Sequence, residues 1–462
     1  MYNVNSNVPA EFISHSEILE TLKYAEQNKG NIFVIDSIIA KARLKKGISH
    51  REAAVLLECE ISEKNAEIFA LASKIKREIY GDRIVIFAPL YLSNYCVNSC
   101  LYCPYHVQNK IMPRIRLSQE QIRSEVAALQ EMGHKRLALE MGEDPVNNPI
   151  DYLLESIETV YGVKHKNGDI RRVNVNIAAT EEDDYRKLRN AGIGTYILFQ
   201  ETYHSESYKS LHPKGPKSNY DYHTSAMDRA MRAGIDDVGL GVLFGLELYR
   251  YEFAGLLMHA EHLEAAFGVG PHTISVPRIK DAGGINARDF GGISDEVFAK
   301  LVACIRIAVP YTGMIVSTRE SVACRERVLE LGISQISGGS NTNVGGYASN
   351  ESDTSQFYID DTRTLDEIVD WLIGLKYVPS FCTACYREGR TGERFMKLSK
   401  SGRISDRCSL NALITLKEYA EDYASRSTKR HAEELIQREL SDKAVLVDYL
   451  KRVENGDRDI RF

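Results

Sequence analysis

No stretch of this 462-residue sequence approaches the ~18 apolar residues needed to cross a bilayer. Its first 28 residues hold no apolar run of the kind that forms a secretory signal. The expectation is a cytoplasmic protein with no membrane partner. A strong net charge is missing too: 58 Lys and Arg against 64 Asp and Glu leave −6. So even a balance provides no field to draw the chain to nucleic acid or an anionic surface. Local basic runs such as Lys74-Ile75-Lys76-Arg77, followed by Glu78, read as solvated helix faces. Disulfides do not persist in a reducing compartment, so clustered cysteines read as ligands rather than cross-links.

Length alone suggests about three domains, although an α/β barrel takes about 250 residues as one. The pattern divides the chain into an N-terminal helical segment (1–80), a β/α region (81–345) and a mostly helical, charged C-terminal region (346–462). The first carries apolar positions at helical spacing, as in Ser16–Leu22 and Arg51–Leu57, and no evident chemistry. It is expected to wrap the second. The β/α region alternates strands, expected at Ile84–Leu92, Arg136–Met141, Val173–Ala178, Thr195–Glu201, Val238–Leu246, Thr273–Ile279, Met314–Thr318 and Ser334–Gly338, with amphipathic helices. One helix starts at Ser118 with Gln121 three residues on, a capping box. Eight such repeats point to an α/β fold of the (β/α)8 TIM-barrel type. An open doubly wound sheet is the alternative, but no GxGxxG turn follows the first strand. A further helix is expected over Asp361–Tyr377.

In Val173-Asn174-Val175-Asn176-Ile177 apolar residues alternate with asparagine, which places Asn174 and Asn176 on the inward face of the third strand. Ser317 and Arg319 share a face at the end of the seventh. Polar side chains inside a barrel suit a ligand-filled lumen, with the site at the C-terminal strand ends; a buried polar network that only fixes the barrel is the alternative.

The nine cysteines are unevenly spread. Cys59, Cys304 and Cys324 stand singly and read as small core residues. Cys96, Cys100 and Cys103 follow the first strand with C-x3-C-x2-C spacing, and the aromatic Tyr102 precedes the last of them. Three thiolates can hold three irons of a 4Fe–4S cubane and leave the fourth open to the amino and carboxylate groups of S-adenosylmethionine (SAM). A structural zinc site wants four ligands, and this motif supplies three. The spacing therefore points to a radical SAM enzyme. Gly142 and Glu143, at the end of the second strand, resemble the segment that binds the SAM amino group in that superfamily.

A second group, Cys382 and Cys385 in C-x2-C with Cys408 after a gap of 22 residues, again offers three thiols. A second cubane with an open iron fits them; zinc with a fourth ligand from elsewhere remains the alternative.

The pairing of these two groups, together with Leu137–Pro145, Arg172–Thr180, Ile197–His204, Gly239–Leu246, Gly270–Ile279 and Phe381–Met396, resembles the HydG family, the tyrosine lyases of FeFe-hydrogenase maturation. The likeness runs through most of the barrel and the C-terminal region. Pro104, where glycine is expected after the third cysteine, is a departure that removes no ligand. The resemblance implies that an adenosyl radical takes a hydrogen atom from the amino group of L-tyrosine. The Cα–Cβ bond then breaks to p-cresol and dehydroglycine. Dehydroglycine in turn gives CO and cyanide, captured on an iron that a bound cysteine attaches to the auxiliary cluster. It further implies that Ser317 and Arg319 grip the substrate carboxylate and that His272 ligates the additional iron. Implied partners are a reduced electron donor such as ferredoxin or flavodoxin and the other hydrogenase maturation proteins. Two other functions stay open from the residues alone: a tyrosine lyase that only releases dehydroglycine, as in thiazole synthesis, and a non-catalytic iron–sulfur carrier.

Overall fold

All eight expected strands form, and they close on themselves. The structure is a computed structural model describing residues 1–349, 353–402, 404–440 and 445–462. The strands are β1 (Arg83–Ser93), β2 (Arg136–Met141), β3 (Arg172–Asn176), β4 (Tyr196–Glu201), β5 (Val238–Val242), β6 (Thr273–Ser275), β7 (Gly313–Val316) and β8 (Gln335–Ser337). Each pairs in parallel with the next, and β8 returns to β1 through Val85–Phe87. The sheet is thus a closed barrel rather than the open alternative, and closure leaves no edge among its eight strands. Val173 and Val175 are fully buried, as the alternation in β3 requires if they face the outer helices.

The connecting helices follow their local signals. Gln119–Met132 begins with the expected capping box, in which Ser118 and Gln121 each accept the other's backbone N–H. The N-terminal helices, among them His15–Asn28, His50–Glu58 and Ser62–Tyr80, pack on the outer barrel helices Tyr249–Phe267 and Asp295–Ala308. They cover one side of the barrel, as the sequence suggested. Cys59, Cys304 and Cys324 are buried core residues. No helix among the described residues is long and apolar enough to cross a membrane.

A ninth strand, β9 (Val378–Ser380), was not legible in the sequence. It pairs in parallel with Arg83–Val85, the N-terminal end of β1. The preceding helix is shorter than expected, Leu365–Gly374, and starts at a Thr364–Glu367 capping box. Strand β9 matters because the second cysteine group follows it immediately. Helix Ile404–Asp422, which carries Cys408, packs against β9. Its buried Glu418 accepts from Arg171, just before β3, at 3.0 Å and lies 3.6 Å from Lys135 Nζ, just before β2. The C-terminal helices are therefore held to the N-terminal, lower end of the barrel. Residues 353–361 lie at the opposite end, where Asp360 and Asp361 donate backbone N–H bonds to Thr318 O.

Candidate active site

The chain leaves β1 at Ser93 and turns over the top of the barrel. Asn94 fixes the turn: its Nδ2 donates to Pro113 O and its Oδ1 accepts from Ile115 N–H, both at 2.7 Å. The Arg114 guanidinium donates to the carbonyls of Asn94 and Tyr105 at 2.6 and 2.8 Å. These bonds all end on backbone groups of the loop, which fixes the cysteines relative to the barrel. Cys96, Cys100 and Cys103 all line one cavity at the C-terminal strand ends, the position where barrel enzymes carry their chemistry. Burial pushes the Cys100 thiol up to about 12 and raises Cys96 and Cys103 as well.

The end of β2 is built against this loop. Gly142 N–H donates to Ser93 O at 3.1 Å, and a Cβ at Gly142 would lie 2.3 Å from Tyr95 O. Only glycine lets the two backbones come this close. Val97 N–H donates to Glu143 O at 2.8 Å, and Asn98 Nδ2 donates to the Glu143 carboxylate at 2.6 Å. Glu143 faces the cavity, and burial raises its pKa. Tyr102 lines the cavity with its ring; its hydroxyl lies 2.7 Å from His212 Nε2. The other His212 nitrogen, Nδ1, lies 2.7 Å from the Tyr208 carbonyl, which fixes it as the donor and makes Tyr102 donate.

Four charged residues that the sequence reasoning missed share this cavity: Glu140, Glu201, Lys217 and Lys280. Lys217 Nζ pairs with Glu201 Oε1 at 2.8 Å. Burial works against the lysine's charge, but Glu201 holds its pKa above the usual value. Glu140, in the middle of the wall, is pushed up to about 8 by burial, while Asn176 Nδ2 donates to it at 2.7 Å.

Deeper in the lumen an adjoining cavity shares Glu140, Asn176 and Arg319 with the first and adds Ser317, Ser275 and Ser337. Arg319 forms no ion pair among the described residues. Its guanidinium lies 3.6 Å over the Phe357 ring, its one side-chain hydrogen bond is a long 3.4 Å to Arg278 O, and burial lowers its pKa. Ser317 Oγ accepts from the Arg319 N–H at 3.3 Å. Asn176 therefore lines the site expected of it. Asn174 does not: one pleat lower, its Oδ1 accepts from Thr195 N–H at 3.0 Å and its side chain serves the next strand.

The second cysteine group lies at the lower end. Strand β1 spans the barrel, about 30 Å at the usual rise per residue, so the two groups stand at opposite mouths. Ala384 N–H donates to Cys382 Sγ at 3.4 Å. The Cys385 and Cys408 thiols act on each other, which lowers the Cys408 thiol and raises Cys385, while the Arg83 charge favours the thiolate at both. Arg83, Arg136 and Arg390 are each buried with an Nε–H that has no hydrogen-bond partner. Three under-satisfied guanidiniums around three thiols suit an anionic thiolate-bound group there.

His272 precedes β6 at this same end. Its Nε2 lies 2.8 Å from the Tyr386 hydroxyl, and its Nδ1 lies 3.2 Å from Asp237 Oδ1, too far off line for a full hydrogen bond. Asp237 is lowered in turn by the His272 ring. With the Asp237 carboxylate beside Nδ1, Nε2 is the nitrogen suited to a metal, which would have to displace the Tyr386 hydroxyl from it.

Among the described residues no three His, Cys, Asp or Glu side chains converge tightly enough to hold a single metal ion.

Residues 90–254 match the radical SAM superfamily and residues 275–378 match the Biotin and Thiamin Synthesis associated domain. The chain is 31% identical over 294 residues to 2-iminoacetate synthase of Escherichia coli, covering 63% of this chain and 76% of that protein. It superposes on a crystal structure of HydG, a maturase of the [FeFe]-hydrogenase, with a TM-score of 0.95 and 54% identity, covering 98% of this chain and 100% of the other. On the HydG structure from Carboxydothermus hydrogenoformans the TM-score is 0.84 at 39% identity, with 97% and 99% covered.

Proposed function

The chain belongs to the HydG family of radical SAM enzymes, and we infer from this and from its upper cavity that it cleaves L-tyrosine in the maturation of FeFe-hydrogenase. As a radical SAM enzyme it uses SAM and a 4Fe–4S cluster. Cys96, Cys100 and Cys103 would hold that cluster, and Gly142 and Glu143 would receive the SAM amino group, with Tyr102 and Asn176 on the same wall. When bound, the pair supplies a 5′-deoxyadenosyl radical that takes a hydrogen atom from the substrate amino group.

The observation that carries this reading is the unpaired Arg319 guanidinium in the same cavity as the three thiols. A guanidinium matches a carboxylate bidentately, and Ser317 sets the backbone from which Arg319 projects. Glu140 faces the same space and suits the substrate ammonium. Gripped at both charged groups, tyrosine would present its Cα–Cβ bond to the cavity; breaking it after hydrogen-atom loss gives dehydroglycine and a hydroxybenzyl radical, which one electron from the reduced donor and one proton convert to p-cresol. The Val97 N–H bond to the Glu143 carbonyl and the Asn98 amide on its carboxylate keep the SAM side of the cavity fixed while this occurs.

At the lower mouth Cys382, Cys385 and Cys408 would hold an auxiliary 4Fe–4S cluster. Arg83, Arg136 and Arg390 would offset its charge. His272 would ligate an additional iron that a bound cysteine attaches to that cluster. Dehydroglycine reaching this end splits into CO, cyanide and water, which balances its atoms. The iron leaves as a carbonyl-cyanide unit for H-cluster assembly. A ferredoxin or flavodoxin would supply electrons, and the other maturation proteins would receive the product. The deeper cavity runs from the upper site into the barrel past Ser275, Ser317 and Ser337, which favours this over a lyase that releases dehydroglycine outside. Infrared spectroscopy of the iron-bound carbonyl after turnover with tyrosine labelled by carbon-13 at the carboxylate tests it. The reading requires the CO band to shift with the label.

A further inference from the structure

The lower end of the barrel carries a second, solvent-open pocket of about 390 Å3 between the loops that lead into β3, β4 and β5. Four arginines reach its wall. Two are already neutralised: Arg171 pairs with Asp169 at 2.9 Å and with Glu418, and Arg387 pairs with Asp459. The other two, Arg172 and Arg189, have no carboxylate partner among the described residues.

Arg172 is 7% exposed, and its Nε–H has no hydrogen-bond partner among the described residues. Its guanidinium lies 3.3 Å over the Tyr386 ring. A Cβ at Gly194 would fall 2.0 Å from Arg172 Nε, so the glycine leaves the room this side chain occupies. Arg189 is exposed at the rim. Negative charge lines the same pocket. Asp237 is 2% exposed, and its Oδ2 has no hydrogen-bond partner among the described residues; its Oδ1 accepts from Gly392 N–H at 3.2 Å. Asp236 sits at the rim and accepts from the Thr391 hydroxyl at 3.2 Å.

Arg172 and Asp237 therefore carry opposite charges into one pocket, each keeps an unpaired buried atom, and no ion pair joins them. Buried polar atoms are nearly always satisfied, and leaving a buried charge without its partner is strongly unfavourable. Packing keeps these two apart, because Arg172 lies on Tyr386 while Asp237 turns toward His272. A ligand bearing both signs would satisfy both.

We propose that this pocket binds a small α-amino acid as its zwitterion, the carboxylate on Arg172 and Arg189 and the ammonium on Asp237 and Asp236. The site is separate from the upper cavity and contains none of the cluster thiols, although Asp237 also lies beside His272 and Tyr386 meets its other nitrogen. It does not depend on tyrosine cleavage.

Equilibrium binding of radiolabelled glycine to the full-length, cluster-loaded protein under anaerobic conditions tests the site. The measurement is made in an Arg319→Ala background, so that occupancy of the upper cavity cannot imitate it. One glycine should bind per chain. Added Arg189→Gln should weaken it at least tenfold, and Arg172→Gln at least as much. Acetate and methylammonium should compete at least tenfold less well than L-alanine. Arg189 is exposed, so its variant decides the matter if Arg172→Gln fails to fold. The proposal is overturned if no glycine binds, if both variants bind it with native affinity, or if acetate competes as well as L-alanine, which would mark a simple anion site.

Discussion

Tyr386, the residue after Cys385, meets Nε2 of His272 through its hydroxyl at 2.8 Å. The same hydroxyl accepts from Arg136 at 2.9 Å and lies 3.2 Å from Thr195 Oγ1. One tyrosine thus ties the C-terminal cysteine group to three strand beginnings of the barrel. It also stands at the imidazole nitrogen proposed to bind iron, while Asp237 addresses the other nitrogen.

Asp237→Asn should therefore weaken binding of the additional iron by about 10–100-fold, the usual cost of losing a carboxylate behind a metal-bound histidine. Tyrosine cleavage should continue, because it takes place at the opposite mouth. Iron titration followed by electron paramagnetic resonance, with p-cresol measured in the same samples, checks both halves. Native iron affinity in the variant would remove His272 from the proposed ligand set.

Arg319→Ala should weaken tyrosine binding by about 2–5 kcal/mol, the range for truncating one partner of a buried charged pair. The spectrum of SAM bound at the upper cluster should be nearly unchanged, since Glu143 and Gly142 remain. An unaltered tyrosine affinity would place the substrate carboxylate elsewhere.

Glu140, pushed up to about 8 by burial, holds a proton at neutral pH in the empty cavity. Accepting the tyrosine ammonium requires the charged carboxylate, so binding must release that proton. Tyrosine affinity should rise about tenfold per pH unit from 6 toward 8 and level off above it. Calorimetry at pH 7 in two buffers of different ionisation enthalpy should show close to one proton released per tyrosine. In Glu140→Gln the slope and the released proton should both vanish. A native slope in that variant would contradict the assignment.

Replacing Cys382 and Cys385 together by serine should spare p-cresol formation and abolish the iron-bound carbonyl-cyanide product. Chromatography and infrared spectroscopy on the same samples distinguish the two. A native yield of the carbonyl species would make the lower thiols structural and favour zinc there.

The barrel was readable because every strand repeats one pattern, a short β-rich run between amphipathic helices, and all eight expected positions hold a strand. Strand β9 was not, because it is three residues long, contains Pro379 and exists only through its pairing with Arg83–Val85. The cysteine loop announced itself by local spacing, which survives in one dimension. Glu140 was hidden inside an apparently ordinary strand, and Lys217 is separated by more than a hundred residues from the cysteines whose cavity it shares. Their role is set by tertiary placement. Asn174 and Asn176 show the limit of periodicity: a two-residue repeat gives the face of a strand but not the depth, and depth puts one on the cavity and the other on the backbone of β4.

The central claim is tested most directly by incubating the cluster-loaded protein with L-tyrosine, SAM and dithionite under anaerobic conditions and measuring 5′-deoxyadenosine and p-cresol together. The account predicts that both form in the native chain and that both disappear in Cys96→Ala. Formation of 5′-deoxyadenosine without p-cresol, or undiminished p-cresol in Cys96→Ala, would contradict it.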